Sequence, residues 1–113
     1  MNDRLPARLE ATALIRQVES QGGFATVIKR GDPDSGALVL LIVERGTPVA
    51  LVEQRMDDKF DYRWGEAARG GALVGDKFLK LIAERTRFDP DFWLIELDIP
   101  DAERFIAETI ASG

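Results

Sequence analysis

The chain has 113 residues, of which 45% are hydrophobic, and carries 15 basic and 20 acidic side chains for a net charge of −5. That length and composition support one domain over residues 1–113 with a closed core. The acidic balance argues against a dedicated nucleic-acid binder, which needs a concentrated basic face. Histidine and cysteine do not occur. Their absence excludes a cysteine nucleophile, a Ser-His-Asp triad, a structural zinc site and a histidine proton shuttle within the chain.

Pro6 suits the first turn of a helix, and Ala7, Ala11, Leu14, Ile15 and Val18 then follow at helical spacing until Gly22 and Gly23 end it. Phe24 to Ile28 alternates as a strand. Ala37 to Val43 is apolar without interruption and reads as a central strand covered on both faces. Between them, Gly31, Asp32, Pro33, Asp34, Ser35 and Gly36 predict a hairpin loop. Gly46 and Thr47 make a compact turn before Pro48, and Val49 to Arg55 alternates as a third strand, so the first half reads as a meander. Tyr62, Trp64 and Glu66 alternate and suggest an additional edge strand. Asp76 is placed to cap a helix running to about Arg87, with Phe78, Leu81 and Ile82 facing inward. Asp89 and Pro90 break that helix before Phe92 to Leu97, a bulky apolar stretch that reads as a strand inside the sheet. A last helix places Ala102, Phe105, Ile106, Thr109 and Ile110 on one stripe, with Asp98 or Asp101 as its cap. The prediction is an α+β fold: a mostly antiparallel sheet of four to five strands with helices packed on it, in the order α-β-β-β-(β)-α-β-α.

Met1 to Pro6 is short and polar, and the longest apolar run, Ala37 to Val43, falls far below the roughly 20 residues needed to cross a bilayer. A cytoplasmic location without membrane contact is therefore expected.

Three constellations could carry chemistry. The loop Arg30 to Gly36 places two carboxylates beside two glycines and resembles half of a calcium loop. Its glycine comes one position early, however, and Val43 stands where the bidentate glutamate belongs. A turn in which Asp32 and Asp34 bond their own backbone is the favoured reading. Second, Pro33 and Asp34 followed by Glu53, Gln54 and Arg55 resemble the PD-(D/E)xK nuclease pattern. There, Asp34, Glu53 and Glu96 would ligate a divalent metal while Arg55 contacts phosphate. Arg55 stands in place of the lysine, and arginine cannot adjust its protonation. That reading requires the Asp34 and Glu53 carboxylates to enter one cleft. Glu96 inside a buried strand needs solvent or a partner, for which Arg45, Arg55 and Arg63 are the candidates. Third, Phe60, Tyr62, Arg63 and Trp64 form the best candidate recognition surface, because aromatic and arginine residues suit protein interfaces.

The segments Arg30 to Gly36 and Arg87 to Leu97, following a helix that ends in Gly22 and Gly23, resemble a family of small bacterial proteins known as a domain of unknown function, DUF1491. The likeness is strongest in Arg30, Gly31, Asp32, Asp34 and Gly36 and in Arg87, Phe88, Asp89, Pro90, Asp91, Trp93 and Glu96. It implies no activity, cofactor or catalytic residue. The leading expectation is therefore a non-enzymatic interaction module with a protein partner or a second copy of itself. Its binding candidates are Arg30, Asp32, Asp34, Phe60, Tyr62, Arg63 and Trp64, and no cofactor or metal is assigned. The alternative is the metal-dependent phosphodiesterase built on Asp34, Glu53, Arg55 and Glu96.

Overall fold

A computed structural model describes residues Arg4 to Ser112; Met1 to Asp3 and Gly113, which belong to the predicted leaderless terminus and single domain, lie outside the described residues. The elements are α1 (Ala7–Ser20), β1 (Phe24–Lys29), β2 (Leu38–Glu44), β3 (Thr47–Met56), β4 (Tyr62–Arg69), a short 3-10 turn at Gly70–Leu73, α2 (Gly75–Phe88), β5 (Trp93–Asp98) and α3 (Ala102–Ala111). The alternating stretch around Trp64 is thus a full edge strand. The sheet order is β1-β5-β2-β3-β4. Every neighbouring pair is antiparallel except β2 with β5, which run parallel.

The expected meander is corrected at its first step. β1 and β2 are not partners, because β5 inserts between them and pairs Val27 with Ile95 on one side and Leu40 with Ile95 on the other. The bulky apolar run of β5 suits an interior position beside the central β2. Trp93, Leu94, Ile95 and Leu97 are all at most 3% exposed, which demands cover on both faces and both edges. β2 is equally apolar and is buried from Leu38 to Val43.

Strand alternation sorts these side chains into two cores. Leu38, Leu40, Ile42, Ala50, Val52, Trp93, Ile95 and Leu97 pack under α1 and α3. Val39, Leu41, Val43, Leu51, Phe92 and Leu94 face the other way, against Leu73 and the Phe78, Leu81, Ile82 stripe of α2. The sheet is therefore covered on both faces. The α2 cover is the lighter one, since no residue of α2 is itself buried.

The helix ends differ from expectation. Asp76 does not cap α2; the helix begins at Gly75, whose φ of 61° only glycine adopts freely, and Asp76 sits in the first turn without a cap bond. Asp101 occupies the N-cap of α3 in the left-handed region but makes no side-chain cap bond, and the Ala102 amide donates instead to Glu44 Oε1 at 2.8 Å. Asp98 braces the β2–β3 turn, accepting from the Arg45 and Gly46 amides at 3.0 and 3.1 Å. That turn centres on Arg45 and Gly46, one residue earlier than predicted. Both have positive φ, the mirror-image geometry that matches strand twist.

Candidate interaction surface

The two aspartate-bearing segments meet. The loop at 30–37 arches over the start of β5: the Asp32 amide donates to the Asp91 carbonyl at 2.9 Å, Trp93 Nε1 donates to the Asp32 carbonyl at 2.8 Å, and the Trp93 amide donates to Ala37 at 2.8 Å. Lys29 Nζ closes one side, donating at 2.7 Å to both the Pro90 and Phe92 carbonyls and lying 4.4 Å over the Phe92 ring. Arg30 lies 5.5 Å over Trp93. Asp32 Oδ1 accepts the amides of Asp34 and Ser35, both at 2.9 Å, and the Ser35 hydroxyl. Those amides, Ser35 first, hold the Asp32 carboxyl below its ordinary 3.8. The loop also serves α1: the Pro33 and Asp34 carbonyls accept from the Arg8 and Ala7 amides at 2.8 and 3.0 Å, doing for the helix N-terminus what a capping side chain would do.

The metal-dependent constellation is dispersed. The Asp34 side chain is 78% exposed and pairs with Arg8 at 3.3 Å. Glu53 is buried on the α2 side, paired with Arg85 at 2.5 Å and Arg55 at 3.3 Å, in a cavity that Asp34 does not line. Glu96 sits between Thr26 and Leu41 in the sheet, half-buried. Among the described residues the ion pair expected for it does not form: Arg45 sits in the β2–β3 turn, beyond the Leu41 that pairs with Glu96, Arg55 is taken by Glu53 and Arg63 by Asp57, and β2 separates β5 from the strands that carry the last two. Among the described residues no three carboxylates gather as metal ligands.

Period-two alternation also divides the aromatic and arginine set. Tyr62, with the Arg4 guanidinium 4.6 Å over its ring, and Trp64, packed on the larger core, occupy alternate positions on one face of β4. Arg63 projects from the other, its Nε 2.8 Å from Asp57 Oδ2. Asp57 is lowered by the Asp61 amide first and then by Arg63. Phe60 lies in the preceding turn at positive φ and is 72% exposed. The far end of β4 is tied to α3 by Arg69, which binds both oxygens of Glu66 and both of Glu103 within 3.0 Å.

The surface that sequence reasoning missed is β1. Phe24, Val27 and Ile28 are 75%, 38% and 51% exposed, and β1 bonds on one side only, to β5. A bulge between Val27 and Lys29 leaves Ile28 without a partner in the register. The alternation of Phe24 to Ile28 marked a strand, but only its place at the edge, fixed by β5 some seventy residues later, shows those side chains to be uncovered.

The model for a family described as a protein of unknown function, DUF1491, matches residues 5–107. The chain belongs to the DUF1491 family. A DUF1491 protein from Caulobacter crescentus CB15, determined by NMR, is 33% identical to it with a TM-score of 0.71, over 87% of this chain and 88% of that one. A crystal structure of a DUF1491 protein from the same organism gives 31% identity and a TM-score of 0.69, over 90% and 94% of the two chains. The solution structure of an A. tumefaciens protein is similar at 27% identity and a TM-score of 0.72, over 87% and 88%. Comparison with curated proteins gives no match. Among the described residues of this DUF1491 chain, no helix is long and apolar enough to cross a membrane.

Proposed function

We propose that this DUF1491 protein is an interaction module that associates with a second copy of itself through the free edge of β1. The observation that carries this reading is the contrast between the two sheet edges. β4 carries Arg63, Glu66 and Arg69, and charge is the usual guard against edge-to-edge pairing. β1 reads Phe-Ala-Thr-Val-Ile-Lys, and its one charge, Lys29, is folded back onto the Pro90 and Phe92 carbonyls. Two antiparallel β1 strands related by a two-fold axis would join the sheets of both copies and place Phe24 and Ile28 of each against the other.

Six residues at about 3.3 Å each span about 20 Å. With three exposed apolar side chains per copy, such a seam falls at the small end of specific interfaces, so the dimer should dissociate in the micromolar range, about 1–100 μM. Light scattering on a dilution series should show mass falling from dimer to monomer across that range. Phe24→Glu should give a monomer throughout, while Phe60→Glu, beside the guarded edge, should leave the dimer intact. A wild-type chain that is monomeric at several hundred micromolar, or a Phe24→Glu chain that still dimerises, would overturn the proposal.

A further inference from the structure

A groove of about 540 Å³ runs between α2 and the β3–β4 hairpin, a size within the range of small-ligand sites. Its apolar part comes from Val39, Leu51, Leu81, Ile82 and Phe88, and its charged wall from Arg55, Lys77, Lys80 and Arg85 against Glu53 and Glu84. The two carboxylates do not cancel the four cations evenly. Glu53 is committed to Arg55 and Arg85 at the floor. Glu84 stands one helical turn from Lys80, but among the described residues it forms no ion pair, and neither Lys77 nor Lys80 has a carboxylate within 4.0 Å. The Arg85 Nε is buried without an acceptor among the described residues. An acidic chain has therefore gathered a local excess of positive charge beside an apolar strip in which Phe88 is exposed and Leu81 and Ile82 are half-buried. The cleft between α1 and α3 offers no such excess, since its Arg104 is bonded to Glu108 at 2.9 Å.

We infer that this groove binds a small amphiphilic anion, a carboxylate or phosphate head carried on a short apolar body. Lys77 and Lys80 meet the head from the helix side while Arg55 and Arg85 supply positive potential from the strand and helix walls. The apolar body lies along Leu81, Ile82 and Phe88, with buried Leu51 behind them. Glu53 fixes the guanidinium planes and keeps the floor from collecting free anions indiscriminately. The site shares no residue with β1, so it stands or falls independently of self-association.

The test is a titration of the isotope-labelled full chain followed by NMR, with octanoate, octyl phosphate, octanol and inorganic phosphate as separate probes. Saturable shifts clustered on residues 51–55 and 77–88 are expected with octanoate or octyl phosphate, and the tighter of the two identifies the head group. Octanol and inorganic phosphate should each bind at least about tenfold more weakly, because each lacks one half of the recognition. The double reversal Lys77→Glu, Lys80→Glu changes two exposed helix positions and should weaken the preferred probe by about tenfold or more at unchanged melting temperature. Binding of octanol as tight as octanoate, no saturable shift at millimolar probe, or an unaffected double variant would each overturn the inference.

Discussion

Gly31→Ala tests whether the junction of the two aspartate segments holds the fold. Gly31 does not have a positive φ, so the substitution carries no dihedral strain, and its cost comes from what the new methyl meets. A Cβ there would lie well inside contact distance of the Asp91 carbonyl oxygen and 2.6 Å from the Phe92 carbonyl carbon, and backbone cannot rotate away as a side chain can. Restoring a normal separation moves the loop off β5 by about 1 Å. That shift strains the Asp32 to Asp91 and Trp93 to Asp32 hydrogen bonds, each worth about 1 kcal/mol net and more if left buried and unmade. Together with the overpacking itself, about 1–3 kcal/mol, the loss is about 3–5 kcal/mol. For a domain of this size that lowers the melting temperature by about 12–30 °C. Gly71→Ala is the matched control: nothing lies within 4 Å of its Cβ position and its φ is not positive, so it should melt like wild type. Thermal unfolding of the two variants, followed by far-UV circular dichroism, decides the matter. A Gly31→Ala protein melting within about 3 °C of wild type would show that the loop does not press on β5 as described.

Trp93→Phe keeps most of the buried ring but removes the indole donor to Asp32, and should cost about 1–3 kcal/mol in urea unfolding at unchanged slope; an unaltered midpoint would show the bond to be idle. Glu53→Gln leaves the Arg85 guanidinium, only 24% exposed, without its counter-charge and should cost about 2–4 kcal/mol, less than for a fully buried pair because Arg55 is half in solvent. Much of that loss should return in the double variant with Arg85→Met, and a purely additive double variant would contradict the pairing. Asp32, Asp57, Glu66 and Glu103 all have carboxyls held below their ordinary values of 3.8 for aspartate and 4.5 for glutamate, Asp32 by backbone amides and Glu66 and Glu103 chiefly by Arg69. A depressed carboxyl contributes stability that is present above its unfolded value and lost as pH falls through its folded value. The melting temperature should therefore hold steady down to about pH 4.5 and fall below it, with no step near pH 6–7 because no histidine is present. Arg69→Met should flatten that acid limb, and an acid limb identical to wild type would count against the Arg69 clamp.

What the sequence disclosed, and what it hid, follows from the range over which each signal acts. The unbroken apolar run of β2, and the bulky apolar run of β5 broken only by Glu96, announce two buried strands because burial on both faces needs little beyond the run itself. The stripe at Phe78, Leu81 and Ile82 and the punctuation at Gly22, Gly23, Asp89 and Pro90 are similarly local. Caps failed where the donor came from elsewhere: Glu44 reaches the α3 amide from the end of β2, and loop carbonyls serve α1, and neither partner lies within a few residues of the helix it serves. The β1–β2 pairing failed for the same reason on a larger scale. A glycine-rich, aspartate-rich turn between two strands ordinarily closes a hairpin, but Gly31 and Gly36 are glycines because the loop must pass in contact with the Asp91 carbonyl, leaving a strand's width for β5 to enter. That insertion sets β1 against β5 and leaves the other edge of β1 unpaired. Lying outside β5, Phe24 to Ile28 form the uncharged rim of the sheet. The family-like residues around Arg30 and Asp91 therefore hold the loop against the start of β5 and leave room for that strand between β1 and β2.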